Sequence, residues 1–149
     1  MKKIIVIVDT SGSMAEDDKN AVVRYLLSGI GNLREKEEFS DCFFALYGWG
    51  EALQKVEDWG NIRFAFSGRS GTGGLEEIGK EEKEYGSLLL ISDGNFTEDV
   101  KNAFLKLGRD RRTAVISVGM DARRSVLREI STKGEVFAVT ELVTAVRSL

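Results

Sequence analysis

The stretch that decides the fold is IIVIVDTSGS, residues 4–13. Its first five residues are all apolar, and an aspartate, three hydroxyl side chains and a glycine follow directly. An uninterrupted apolar run of this length is typical of a strand that is buried on both faces of a parallel sheet. Asp9 and the residues after it then fall at the carboxyl end of that strand, where open α/β sheets bind their ligands.

Four further apolar runs of strand length set the fold class. They cover residues 42–47, 88–91, 114–118 and 136–139. Apolar residues also recur at helical spacing in four sets: Val22, Leu26, Ile30 and Leu33; Val100, Phe104 and Leu107; Val126 and Ile130; and Leu142 and Val146. This alternation predicts an α/β fold, a three-layer, doubly wound, Rossmann-like sheet with mostly parallel strands and helices on both faces. In such a sheet the run over residues 88–91 lies beside the first strand.

One connection departs from the alternation. Gly48, Trp49 and Gly50 lead into residues 52–56 after a gap the size of a turn, which predicts a hairpin and therefore one antiparallel edge strand. A weak helix is predicted over residues 75–83, since Gly79 interrupts it.

Composition narrows the function classes. A length of 149 residues, 42% of them hydrophobic and 30% charged, fits a single soluble domain over residues 1–149. The net charge of −3 does not favour nucleic acid, and no apolar run is long enough to cross a membrane. The chain has no histidine, which excludes Ser-His-Asp and Cys-His nucleophiles. Its single cysteine, Cys42, cannot form an internal disulfide, so a cytoplasmic location is expected.

Three short motifs carry the candidate chemistry: DTSGS at residues 9–13, SGTGG at residues 70–74 and SDG at residues 92–94. Each follows a predicted strand or lies on a loop that can approach one. Taken singly, the first could be a helix N-cap and the third a common turn. Together they offer carboxylate and hydroxyl oxygens, which are the ligands that hard cations such as Mg²⁺ prefer.

In this order, the motifs resemble the metal ion-dependent adhesion site of von Willebrand factor type A domains, and the resemblance covers essentially the whole chain. It implies that Ser11, Ser13 and Thr72 contact a Mg²⁺ or Mn²⁺ ion, and that Asp9 and Asp93 bind it directly or through water. It also implies a metal-dependent protein-interaction module without catalytic activity, in which an Asp or Glu of the partner completes the coordination.

The resemblance further implies a small stand-alone intracellular member of bacterial type that works with an ATPase or another component of a multi-protein system. The sequence departs from the family pattern at Gly73, because an Asp or Asn commonly follows the threonine of the second motif. The missing side chain is expected to affect the rigidity of the second loop more than the existence of the site.

Two alternative functions remain open. One is a Mg²⁺-dependent phosphoryl hydrolase that uses Asp9, although Ser11 stands where haloacid dehalogenase-type phosphatases have a second aspartate that serves as general acid. The other is a metal-free scaffold. A third possibility, ATP binding through the P-loop spacing of residues 74–80, is disfavoured because Glu81 replaces the magnesium-binding Ser or Thr.

Several remaining side chains have a structural interpretation. Glu16, Asp17 and Asp18 suit a helix N-terminus through its dipole, and they do not establish a second cation site. Trp49 is expected to pack over the edge hairpin, and Phe64 and Phe66 are expected to fill the core.

Overall fold

The computed structural model describes all residues, 1–149. It contains six strands, β1 (Lys2–Asp9), β2 (Cys42–Trp49), β3 (Leu53–Val56), β4 (Ser87–Ser92), β5 (Arg112–Ser117) and β6 (Val136–Phe137). The α-helices are α1 (Lys19–Arg34), α2 (Gly73–Glu81), α3 (Glu98–Leu107), α4 (Arg124–Ile130) and α5 (Leu142–Arg147). None of these helices has the length and apolar character needed to span a bilayer.

The strands form one sheet in the order β3-β2-β1-β4-β5-β6. All neighbouring strands are parallel except β2 and β3, which form the predicted antiparallel edge. The chain therefore builds outward in one direction from β1 and in the other direction from β4. The point where the strand order changes direction lies between these two strands, whose pairing was predicted.

Helices cover both faces of the sheet because β1 is apolar on both sides. Ile4, Val6 and Val8 pack in the same core cluster as the buried faces of α1 and α5. Ile5 and Ile7 pack in a second cluster with α2, α3 and α4. The predicted three-layer α/β architecture is confirmed.

The structure differs from the sequence prediction in detail. β6 has only two residues, because Ala138 caps a short 3₁₀ helix that covers Val139–Glu141. In α1 the chain buries Val23 in place of Val22, and in α4 it buries Leu127 in place of Val126. The helix α2 tolerates Gly79, where an added Cβ would come within 3.3 Å of the Leu107 side chain on α3.

An irregular segment between β3 and α2 completes the core beneath α1. Its side chains Trp59, Ile62, Phe64 and Phe66 are partly buried and pack against the cluster that contains α1. Phe64 lies directly on β2, because a Cβ built at Gly48 would come within 2.6 Å of its ring. The two phenylalanines therefore pack against the core, as expected, but both are only half-buried.

Candidate metal site

The candidate site lies where the strand order changes direction, at the carboxyl ends of β1 and β4. Asp9 ends β1, and Asp93 directly follows the last residue of β4. Both side chains are buried, with 1% and 2% of their surface exposed. Burial raises the pKa of Asp9 and the charge of Asp93 adds to this effect, although hydrogen bonds from Ser11 and Ser92 oppose it. A positive charge near Asp9 therefore stabilises its ionised form.

Hydrogen bonds fix the Asp9 carboxylate in place. Its Oδ1 accepts from the backbone N–H of Ser11 at 2.9 Å, and its Oδ2 accepts from Ser92 Oγ at 2.7 Å. The Ser92 hydroxyl in turn accepts from the backbone N–H of Gly94 at 2.9 Å. This chain of bonds ties the end of β1 to the loop after β4, so the first and third motifs share one hydrogen-bond network.

The first motif places two hydroxyl groups side by side. The Oγ atoms of Ser11 and Ser13 are 3.2 Å apart. Ser11 precedes a short 3₁₀ helix over Gly12–Ala15, but its hydroxyl makes no capping hydrogen bond. Adjacent ligands of an octahedral Mg²⁺ ion at its usual bond length are about 3 Å apart, so this spacing suits a shared cation. The N-cap interpretation of these serines finds no support in the structure.

The second loop brings Ser70, rather than Thr72, into contact with the aspartate. Ser70 Oγ lies 3.3 Å from Asp9 Oδ1. Thr72 is half-buried at the start of α2, and no side-chain hydrogen bond joins it to the other candidate ligands. Trp49 is almost fully buried and donates from Nε1 to the Gly71 carbonyl at 2.8 Å, which holds the loop against β2. The sequence analysis proposes Thr72 as the ligand from this loop and does not consider Ser70, the first residue of the same motif.

Asp93 of the third motif forms an ion pair with a buried lysine that the sequence analysis did not identify. Lys19 Nζ lies 3.1 Å from Asp93 Oδ2 and 2.8 Å from Asp121 Oδ1, and its side chain is only 1% exposed. Burial lowers the pKa of Lys19, but the hydrogen bonds and charges of Asp121 and Asp93 outweigh burial and raise that pKa above its usual value. Asp93 also accepts from the Asn95 backbone N–H at 3.0 Å.

Two structural features bear on the position of Lys19. It is the first residue of α1, where the helix dipole disfavours a cation unless carboxylates compensate it. Gly119 is the second feature. It has φ of +89°, and a Cβ there would come within 2.5 Å of the Lys19 side chain. The β5–α4 loop therefore needs glycine for the lysine to reach Asp93.

A cleft of about 400 Å³ opens beside the first and second motifs, and Asp9, Asp93 and Thr72 are not among the residues that line it. The side chains of Ser11, Ser13 and Ser70 line it, together with Arg69 and Arg123. Both arginines are exposed, so they can approach an anionic group that enters the cleft. The arrangement therefore combines buried carboxylates, hydroxyl groups that face the cleft, and cationic side chains at its rim.

The donor set fits a hard divalent cation, because every candidate ligand is an oxygen. It contains few carboxylates, since no three or more acidic, histidine or cysteine side chains in the structure are grouped so that they could hold a metal ion. Lys19 also neutralises part of the charge of Asp93. An ion at this site would hence keep much of its positive charge available for a further anionic ligand.

Glu16, Asp17 and Asp18 lie beside the site as exposed residues of the turn before α1. Asp17 and Asp18 adopt left-handed backbone conformations, with φ of 50° and 60°. The turn directs the chain from the first motif into α1.

No protein-family model matches the sequence, and no curated protein matches it either. Solved structures match the fold over nearly the whole chain. The aerotolerance-related membrane protein of Bacteroides fragilis superposes with a TM-score of 0.74 at 11% identity, covering 99% of this chain and 98% of that chain. The manganese-loaded TRAP protein of Plasmodium vivax gives a TM-score of 0.70 at 18% identity, covering 98% and 72%.

Proximal thread matrix protein 1 of the mussel byssus gives a TM-score of 0.73 at 15% identity, covering 99% of this chain but 46% of that chain. This chain thus spans less than half of the mussel protein chain. At these identities the likeness concerns the fold.

Proposed function

Since the chain has the fold of a von Willebrand factor A domain, we propose that it is a protein-interaction module that binds an acidic side chain of its partner through Mg²⁺ or Mn²⁺. The observation that carries this proposal is the pairing of the Ser11 and Ser13 hydroxyls, 3.2 Å apart, beside a buried aspartate at a strand end. A second support is the TRAP protein, which shares the fold and is manganese-loaded.

In the proposed site, Ser11, Ser13 and Thr72 contact the ion, and Asp9 and Asp93 bind it directly or through water. The ion, when bound, supplies a positive charge and an open coordination position for a carboxylate. The chain's own residues fix the ligands: Ser92 and the Ser11 backbone hold Asp9 in place. In the second loop the Ser70 hydroxyl reaches Asp9, whereas the Thr72 side chain makes no hydrogen bond to these residues.

The surroundings of the cleft suit an acidic partner. Arg69 and Arg123 line it, and an Asp or Glu that enters meets cationic groups on its way to the ion. Met120 is fully exposed on the β5–α4 loop at the same end of the sheet and offers an apolar contact at the rim of the interface. The partner class that we propose is an ATPase or another component of a multi-protein system.

A metal-free scaffold is the second candidate, and the ion pair of Lys19 with Asp93 favours it. The ammonium group already supplies a positive charge beside the buried carboxylate. A phosphoryl hydrolase lacks comparable support, since Ser11, two residues after Asp9, stands at the position where that chemistry needs a general acid.

Calorimetric titration of chelator-treated protein with Mg²⁺ and Mn²⁺ tests the proposal. We expect saturable binding that Asp9→Asn abolishes while the variant stays folded by circular dichroism. Asp110→Asn is the matched control, because this exposed residue lies in the turn before β5, at the opposite end of the parallel strands from the site. Binding that survives in Asp9→Asn, or no binding by the natural sequence at millimolar Mn²⁺, would favour the metal-free scaffold.

A further inference from the structure

A cavity that is separate from the candidate metal site lies between α1 and residues 59–66. This α1 groove has a volume of about 700 Å³, within the usual range of ligand sites. Val23 and Leu27 of α1 form one part of its lining, and Phe64 and Phe66 form another. The groove therefore exposes apolar surface on a face of the protein for which the proposed metal site gives no use.

The wall opposite α1 is a chain segment with strand-like character but no strand partner. In residues 61–66, which we call the cover segment, exposed and half-buried residues alternate, and Ile62, Phe64 and Phe66 are the half-buried ones. Alternation with a period of two is typical of an extended chain. The backbone N–H groups of residues 62–66 nevertheless donate to no acceptor in the protein. Such an edge is a template for pairing with another strand.

The one hydrogen bond that a backbone carbonyl of the cover segment accepts indicates which backbone groups face the groove. Gln54 of β3 donates from Nε2 to the Arg63 carbonyl at 3.0 Å. In an extended chain, successive residues point their backbone groups to opposite edges. Because Arg63 points toward β3, the backbone groups of Ile62 and Phe64 point toward the α1 groove.

Charge determines which kind of strand the groove suits. Arg24, Arg34 and Arg63 line it with Glu35 as the single acidic residue, in a chain whose net charge is −3. The Arg34 guanidinium lies 4.7 Å from the centre of the Trp59 ring, a cation–π contact that holds the arginine at the rim. The basic rim complements carboxylates, and the negative net charge disfavours nucleic acid.

Gly31 leaves room for an occupant. It lies on the groove side of α1, and a Cβ built there meets no atom within 4 Å. A larger side chain at this position therefore fills the groove without displacing the protein core.

We propose that the α1 groove binds an extended, acidic peptide segment of a protein partner, which pairs its backbone with Ile62 and Phe64 and directs its carboxylates to Arg24, Arg34 and Arg63. Apolar side chains at alternate positions of the peptide contact the groove floor. This second interface does not depend on the proposed metal site.

A displayed library of random peptides about eight residues long, the length of a typical strand, tests the proposal in the presence of EDTA. We expect the natural sequence to select acidic peptides with alternating apolar residues. The best of these, measured by fluorescence polarisation, should bind at least about tenfold more weakly to Arg24→Glu/Arg63→Glu. The matched control is Arg109→Glu/Arg128→Glu, which makes the same charge change at exposed sites outside the groove.

Gly31→Leu gives a variant that blocks the groove while α1 keeps its fold, and we expect it to abolish binding of the selected peptide. N-methylation of the peptide amides tests the strand pairing. Methyl groups on the amides of one edge should abolish binding, and those on the other edge should leave it unchanged.

The inference fails if no acidic peptide is selected, if the groove variants bind as well as the control, or if both methylated peptides bind equally. Selection of basic sequences or preferential binding of single-stranded RNA would also overturn it. So would dimerisation of the natural sequence that Arg24→Glu/Arg63→Glu abolishes, because the occupant would then be a second copy. Since EDTA is present throughout, these outcomes are independent of the proposed metal site.

Discussion

The ammonium group of Lys19 lies 3.1 Å from Oδ2 of Asp93, and both side chains are buried although 74 positions separate them in the chain. This ion pair occupies the place where the proposed site needs a free carboxylate. A divalent cation and Lys19 therefore act on the same negative charge. The affinity of the site for metal depends on this lysine as well as on the ligands themselves.

Replacement of Lys19 by methionine should raise the affinity for Mn²⁺ by about tenfold, because a unit positive charge close to the ion is removed. Without metal, the variant should lose about 3–5 kcal/mol of stability, since Asp93 is left buried and unpaired. Calorimetry measures the first effect, and thermal unfolding with and without Mn²⁺ measures the second. Lys3→Met is the control, because Lys3 lies near the opposite end of β1. An unchanged Mn²⁺ affinity in Lys19→Met would contradict the competition.

The two hydroxyl residues of the second loop should differ in their effect on metal binding. If Thr72 is the ligand, Thr72→Val should weaken Mn²⁺ binding by about tenfold or more, since valine keeps the shape but lacks the oxygen. Ser70→Ala should have a smaller effect, because its contact with Asp9 is long at 3.3 Å. Manganese titration of both variants compares them. The reverse order would assign the ligand role to Ser70.

A pair of glycines in α1 gives opposite expectations for stability. Gly31→Ala should stabilise the protein by about 0.5–1 kcal/mol, because alanine has the higher helix propensity and a Cβ at this position meets nothing within 4 Å. Gly29→Ala should instead destabilise it by about 1 kcal/mol, since its Cβ would come within 2.7 Å of the Leu142 side chain. Urea unfolding of the two variants provides the measurement. Equal effects would show that the Leu142 side chain on α5 moves to accommodate the added methyl group.

The free energy of unfolding should depend on pH through the carboxylate of Glu82. This carboxylate accepts hydrogen bonds from Tyr47 Oη at 2.7 Å and from Lys55 Nζ at 2.9 Å. Burial alone raises the pKa of Glu82, but these two hydrogen bonds outweigh burial and lower the pKa below its usual value. The stabilisation is therefore complete above the ordinary pKa of a glutamate and is lost as the pH falls through the lowered value.

Glu82→Gln should accordingly cost about 1–2 kcal/mol at neutral pH, and its difference from the natural sequence should shrink as the pH falls below about 4. Urea unfolding across this pH range measures the difference. Glu77→Gln, on the exposed face of α2, is the control and should show no such trend. A penalty for Glu82→Gln that stays constant with pH would contradict the role of its charge.

The sheet was predictable because its strands are apolar on both faces and its turns carry Gly, Asp or Ser. The site was predictable only in part. Asp9 and Asp93 lie together because the carboxyl ends of β1 and β4 are neighbours, which the doubly wound topology implies. Lys19 was not predictable in the same way. Its contact depends on how the turn over residues 16–18 aims the start of α1, and two left-handed aspartates fix that direction.

The choice between Ser70 and Thr72 also depends on a tertiary contact. Trp49 fixes the loop through the Gly71 carbonyl, which lies between these two residues, and no local pattern indicates this bond. The groove was missed for a similar reason. Phe64 and Phe66 are core residues as expected, but the sequence does not reveal that the backbone which carries them lacks a strand partner.

The cover segment thus combines packed side chains with backbone amides that no hydrogen bond within the protein protects from exchange. Its aromatic rings are packed against the core, yet the amides of residues 62–66 have no protein acceptor. Deuterium should therefore replace these amide protons early, while the paired amides of β1 in the middle of the sheet exchange only on global unfolding. An occupant that pairs with the segment would slow this exchange at Ile62 and Phe64 more than at Arg63, and isotope uptake along this stretch would thus record which edge of the backbone is covered.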